Sequence, residues 1–172
     1  MQIRLLGTAA QRENEQLRRH MKRHGFHSLR FRRLAENLEA AIDCRTCANC
    51  CRQSTVRLTE RDLERLSKAL KRSRSQVIAA YTQPSADEGL ILKRDPKSGC
   101  VFLDGTACGI YPHRPDICRD YPHLVHGPGS LLSRMWHMPA RAAVCPIVYN
   151  SLEAFKEELG LKRAATAPGP PA

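Results

Sequence analysis

Aromatic side chains are scarce in this sequence: four Phe, four Tyr and one Trp, 5% of 172 residues. Each aromatic buries roughly 150–250 Å², so a chain with few of them has a thin core and benefits from staples. Long apolar runs are also missing. None approaches the roughly 20 residues of a spanning helix, so no membrane association is expected. The start of the chain, Met1 to Thr8, has no apolar stretch of the secretory kind and leads into Gln11-Arg-Glu-Asn-Glu15, which points to a reducing, cytoplasmic setting. There is no Ser-His-Asp constellation, paired-carboxylate motif or P-loop to support hydrolytic or phosphoryl-transfer chemistry. No internal repeat is visible.

What the chain has is cysteine and positive charge. Eight Cys in a reducing compartment read as metal ligands rather than disulfides. Four of them fall within eight residues, Cys44-Arg-Thr-Cys47-Ala-Asn-Cys50-Cys51. The formal net charge is +11. It is concentrated at the start, where nine Arg and Lys against Glu13 and Glu15 leave a net +7 in residues 1–33. A nucleic acid or an acidic protein is the partner such a segment suits, beside the plainer reading of a solvated face.

Periodicity gives the elements. A charged helix is expected from a cap at Thr8 to about Arg23 with Gly25 as its stop, at the periphery because Leu17 and Met21 are nearly its only apolar pair. A second helix, capped by Ser28, carries Phe31, Leu34, Leu38 and Ile42 at helical spacing and delivers the chain to Cys44. A strand-like Ser54-Thr-Val-Arg-Leu58 follows. Thr59-x-x-Asp62 and Ser73-x-x-Gln76 then open two more helices. Residues 90–103 read as a hairpin turning at Asp95 to Gly99, with a second turn at Asp104-Gly105. Pro115 suits a first helical position, which places Cys118 near a positive helix end and favours its thiolate. Residues 127–139 carry no assignable pattern. A last helix follows Cys145-Pro146, with Val148, Leu152, Phe155 and Leu159 on one face and Gly160 as stop.

The remaining thiols, Cys100, Cys108, Cys118 and Cys145, are dispersed over the second half. Four soft ligands saturate one zinc or one iron–sulfur cluster, so eight suggest two sites or one site with spare thiols. A paired zinc ribbon needs two separate C-x-x-C knuckles, and the second half of the chain supplies none. The C-x-x-C-x-x-C run instead matches the three-thiolate start of a ferredoxin-type site, whose remote ligand is a Cys followed by Pro, as at Cys145-Pro146. An iron–sulfur cluster is therefore expected, with zinc as the alternative. His113 and His123 are the histidines nearest Cys118 in sequence and read as surface or supporting groups. Arg45, Arg52, Arg114, Arg119 and Arg141 lie close enough in sequence to compensate thiolate charge.

Cys44-x-x-Cys47-x-x-Cys50-Cys51, followed by Cys100-x-Phe102-Leu103, Gly105-x-x-Cys108-x-Ile110-Tyr111-x-x-Arg114-Pro115-x-x-Cys118-Arg119-x-Tyr121-Pro122 and the late Cys145, resembles the CxxCxxCC family of zinc- or iron-chelating proteins, the YkgJ-like cysteine-cluster proteins. The likeness spans residues 44–146. It implies that all eight Cys belong to the metal centre or centres, and that the flagellin lysine-N-methylases are distant relatives. A methylase-related role lacks its S-adenosylmethionine domain here, since no Gly-rich strand-to-helix turn with a following acidic residue exists.

The reading is a small single domain, mainly α with a short β-hairpin, organised around a Cys-ligated metal centre. Residues 1–43 form a basic helical extension, 44–160 the cysteine-cluster domain and 161–172 a disordered tail. The function expected is that of an iron–sulfur protein with a redox or accessory role. A zinc-stabilised module contacting nucleic acid or an acidic protein, and a methylase-related component, are the alternatives. An extended chain sends neighbouring side chains to opposite faces, so Cys50 and Cys51 are expected to part. Cys44, Cys47, Cys50 and Cys145 would then hold one site, and Cys51, Cys100, Cys108 and Cys118 the other.

Overall fold

Thr59 and Ser73 both close full capping boxes, so the two helices that local sequence specifies most firmly form as expected. The Thr59 side chain accepts from the Asp62 N–H and Ser73 from the Gln76 N–H, while Asp62 and Gln76 reach back to the cap N–H groups. These are α5 (Glu60–Leu70) and α6 (Arg74–Tyr81) in a computed structural model that describes residues 2–25 and 27–161. The other helices are α1 (Gln2–Ala9), α2 (Gln11–His24), α3 (Ser28–Ala41), α4 (Asn49–Gln53), α7 (Asp116–Arg119), α8 (Leu131–Arg134), α9 (Met138–Ala142) and α10 (Pro146–Glu158). Three antiparallel strand pairs complete the set: β1 (Thr82–Ser85) with β2 (Gly89–Leu92), β3 (Arg94–Asp95) with β4 (Gly99–Cys100), and β5 (Leu103–Asp104) with β6 (Ala107–Cys108). The chain is thus mainly α with short hairpins. No helix among the described residues is long and apolar enough to cross a membrane.

The contacts divide the chain into two compact units, residues 1–42 with 122–172, and residues 43–121. In the first, α3 packs along α10, and α1 and α2 pack on α9. Phe31 and Phe155 meet edge to face, 5.1 Å between centroids at 76°, and both are fully buried with Ala35, Leu124, Met138, Val148 and Leu152. Truncating either ring would cost about 3–5 kcal/mol. The stretch left without a pattern, residues 127–139, is α8, a 3-10 turn at Met135–His137 and the start of α9. Its turns are too short to show a period.

Several local expectations are corrected here. The charged helix begins at Gln11 rather than at a Thr8 cap, Thr8 lying inside the preceding α1 and Ala10 taking the cap position, and it is not peripheral: Leu17 and Met21 are 1% and 2% exposed. Two apolar residues suffice because their spacing of four puts both on one face of the helix. Ser28 is the first residue of α3 rather than its cap, which is His27. The disordered tail expected at 161–172 lies outside the described residues, apart from Leu161.

Gly7 explains how α1 approaches so closely. A Cβ there would lie 2.4 Å from the Ala142 carbonyl oxygen and from the Ala143 backbone. Backbone cannot yield as a flexible side chain can, so Gly7→Ala is expected to prise α1 off α9. The overpacking cost is about 1–3 kcal/mol despite alanine's better helix propensity. Faster hydrogen exchange confined to residues 2–9 would report it, and unaltered exchange would show that the contact tolerates a methyl group.

In the unit 43–121, Val56, Leu58, Leu63, Leu66, Val77, Leu92 and Ile110 form the buried cluster, with Cys100, Cys108 and Cys118 packed against it. Tyr81 and Phe102 stack beside it at 4.9 Å. The strand-like 54–58 runs along β2 through Leu58 N–H to Leu90 O and Leu92 N–H to Val56 O. The expected hairpin over 90–103 is corrected. The turn at Asp95 to Gly99 forms, but Leu90–Leu92 pairs back with β1, Thr82 opposite Leu92. The apolar run Leu-Ile-Leu is claimed by the nearer strand, which a two-residue return strand could not match.

Candidate metal centre

The cysteine-rich segment is a turn, a reversal and a helix. Asp43 caps the 3-10 turn Cys44–Thr46, its Oδ1 accepting the Arg45 N–H at 2.9 Å while the Arg45 guanidinium closes back on it. Cys47 and Ala48 donate to the Cys44 carbonyl at 3.2 and 3.3 Å. Ala48 then takes a left-handed conformation, φ 52°, and is buried. This costs about 1–2 kcal/mol for a residue with a Cβ, and it swings the chain into α4. Cys50 and Cys51 both lie in the first turn of α4, with their sulfurs 4.0 Å apart. The expectation that they face opposite ways is therefore corrected, and with it the division of the thiols into a site of Cys44, Cys47, Cys50 and Cys145 and a site of Cys51, Cys100, Cys108 and Cys118. Successive residues on a helix diverge by about 100° rather than the 180° of a strand.

Three further thiols arrive on separate elements. Cys100 on β4 comes up against α4, and Gly99 lies so close that a Cβ would sit 2.8 Å from Arg52 Cα and from the Cys51 carbonyl oxygen. Cys108 on β6 lies where that strand meets the Cys44–Thr46 turn. Arg52 ties these parts together: one guanidinium nitrogen donates to the Cys47 carbonyl at 2.9 Å, the other to Gly105 at 2.6 Å. Its own carbonyl accepts from Arg94.

Cys118 is the third residue of α7, and Pro115 is that helix's cap rather than its first residue. A carboxylate holds the helix in place. Asp62 on α5 is 1% exposed; its Oδ1 accepts the Asp116 N–H at 3.0 Å, while its Oδ2 takes the Thr59 hydroxyl at 2.7 Å. Arg65 bridges Asp62 and Asp116, 2.9 Å from the latter. A buried carboxylate with this many donors is a satisfied one, and it fixes the entry of the helix that carries Cys118.

The thiols are electrostatically unlike. Cys51 is pulled down to about 6, first by its hydrogen bond with Cys50 and then by Arg114 and Arg52, against an opposing desolvation. Burial first, and then the fields of Cys100, Cys51 and Cys108, push Cys118 up to about 12. Cys100 and Cys108 are also raised, by burial first. The expectation of a favoured thiolate at Cys118 is corrected: a four-residue helix offers little dipole, and desolvation outweighs it. Arg114, its guanidinium 3.6 Å from the Tyr111 ring centroid, is the cation common to Cys51, Cys108 and Cys118.

Cys51, Cys100, Cys108 and Cys118 therefore lie within one another's fields, as four soft donors from α4, β4, β6 and α7. The donor chemistry fits a thiophilic metal. Among the described residues, no group of three or more His, Cys, Asp or Glu side chains stands in an arrangement that could hold a metal ion. Cys44 is exposed and Cys47 half-buried on the same segment, while Cys145 is buried as the residue preceding α10, in the unit of residues 1–42 and 122–172. His113 is exposed on the 3-10 turn Tyr111–His113, and His123 is buried in the other unit. Arg45 is engaged by Asp43 and Arg119 by Asp116. Gly99, the clamp made by Arg52 and the anchoring role of Asp62 escaped the sequence reading. The Thr59-x-x-Asp62 box showed Asp62 only as a helix cap.

A family model, CxxCxxCC, described as "Putative zinc- or iron-chelating domain", matches residues 43–146. Comparisons with curated proteins and with solved structures give no match.

Proposed function

Since the chain belongs to the CxxCxxCC family of zinc- or iron-chelating domains, we propose that residues 43–121 hold iron as an iron–sulfur cluster in a redox or accessory role. The packing of Cys100, Cys108 and Cys118 against one apolar cluster, with α4 and its Cys51 against β4, carries this reading, supported by the ferredoxin-like spacing of Cys44, Cys47 and Cys50. When bound, such a cluster supplies one-electron transfer.

The protein's own contributions follow from its residues. Arg52 and Gly99 hold α4 against the two hairpins, and Asp62 fixes the helix of Cys118. Arg114 and Arg52 offset the charge of the ligating thiolates. Cys100, Cys108 and Cys118 are protonated thiols at neutral pH before ligation, because burial raises all three. Ligation must expel those protons, so metal affinity falls as pH falls.

The test is iron, zinc and acid-labile sulfide content, with a visible spectrum, on anaerobically purified protein. The expected result is a brown protein in which iron and sulfide are present together, and Cys118→Ser bleaches it. A colourless protein with stoichiometric zinc and no sulfide would overturn the iron reading and promote the zinc-stabilised binding module.

A further inference from the structure

We propose that the solvent face of α2, together with Trp136, binds single-stranded nucleic acid. Every residue of this surface lies in the unit of residues 1–42 and 122–172. At about 100° per residue, Arg12, Gln16, Arg19 and Arg23 fall within about 60° of one another, a stripe roughly 16 Å long. All four are exposed. The buried residues of the same helix, Asn14, Leu17 and Met21, lie on the opposite face, so the stripe points into solvent.

Ion pairing separates this stripe from an ordinary charged surface. Glu13 is taken by Lys156 at 2.9 Å, Glu15 by Arg18 at 2.7 Å, Glu36 by Arg32 at 3.0 Å and Glu158 by Arg30 at 3.1 Å. Arg12, Arg19, Lys22 and Arg23 are left with no ion pair or hydrogen bond among the described residues. Surface cations without counter-charges are what a polyanion neutralises with release of its own counterions.

An acidic protein would satisfy charge alone. Trp136 favours bases. The protein's one tryptophan lies in the 3-10 turn preceding α9, the helix on which α2 packs, and it is 60% exposed. The Arg18 guanidinium sits 4.0 Å from its ring centroid. The exposed indole, with the Arg18 guanidinium on one face, lies on the flank of α2 about 100° round the helix from Arg19. Unpaired Lys22, one turn beyond Arg18, falls between the indole and the arginine row, so that a stacking surface borders the phosphate track. Unpaired bases are the ligands that use both.

The experiment follows tryptophan emission and fluorescence anisotropy of the full-length, metal-loaded protein titrated with a labelled 20-nucleotide oligo-dT, and separately with poly-glutamate. Oligo-dT is expected to bind and to quench Trp136, with affinity falling linearly in log–log plots against salt. Arg12→Gln/Arg19→Gln/Arg23→Gln should flatten that slope by about 2, at about 0.7 per lost phosphate contact. Trp136→Ala should weaken binding about tenfold, within the range for loss of one stacked base, and Trp136→Phe should restore most of it. All these positions are exposed, so circular dichroism should be unchanged. The proposal is overturned by absence of binding in low salt, by poly-glutamate binding as tightly as oligo-dT, or by Trp136→Ala binding like the wild type.

Discussion

Stripping the metal under anaerobic, reducing conditions is expected to unfold residues 43–121. The apolar cluster there amounts to seven buried residues, Val56, Leu58, Leu63, Leu66, Val77, Leu92 and Ile110, and its strand pairs are two to four residues long. Two-stranded hairpins of that length are marginal in water. The Cys-rich segment also carries a left-handed alanine, a conformation that something else must hold. Structural metal sites contribute apparent binding free energies of about 10–16 kcal/mol, as large as the whole stability of a typical domain, about 5–15 kcal/mol. Removing that contribution leaves too little.

Limited proteolysis with mass spectrometry should show new cuts between residues 94 and 110 and within 43–53 after chelation. The helices around Phe31 and Phe155 have their own core and should stay protected. Re-addition of metal with reductant should restore resistance. An unchanged cleavage pattern and unchanged circular dichroism in the metal-free protein would show that the seven-residue cluster stands alone.

Gly99→Ala is expected to be the most damaging single-methyl substitution in the same unit. Gly99 has φ +92°, and the added carbon would lie 2.8 Å from Arg52 Cα and from the Cys51 carbonyl oxygen. The conformational strain is about 1–3 kcal/mol and the overpacking a similar amount. A net loss near 3 kcal/mol corresponds to a melting temperature lower by roughly 15 °C for a unit of this size. Metal content should fall with it, because the displaced backbone is that of Cys51 itself. Gly105→Ala is the matched control. It also has positive φ, +59°, but nothing lies within 4 Å of its Cβ position, so it should lose only about 1 kcal/mol and keep its metal. Equal melting temperatures for the two variants would show that the approach of β4 to α4 is not tight in solution.

The sequence alone determined whatever depends on a few neighbouring residues. Thr59-x-x-Asp62 and Ser73-x-x-Gln76 formed their caps, the helix after Pro146 ran to its glycine stop, and the turns at Asp95 to Gly99 and Asp104-Gly105 appeared, because each is settled by hydrogen bonds within about four residues. The donor chemistry was equally legible, since a thiol is a soft donor wherever it ends up. Only the tertiary structure decided how those thiols meet. Whether Cys50 and Cys51 diverge depended on α4 being helical after the reversal at Ala48, which no local preference of alanine announces. The proton affinity of Cys118 depended on burial supplied by distant parts of the chain, which reversed the sign that its place near a helix start suggested. Arg52 reaches Gly105 across 53 positions and Asp62 reaches Asp116 across 54. Bonds of that range leave no period or motif in a sequence, because the chain between them is free to vary so long as it brings the two ends together.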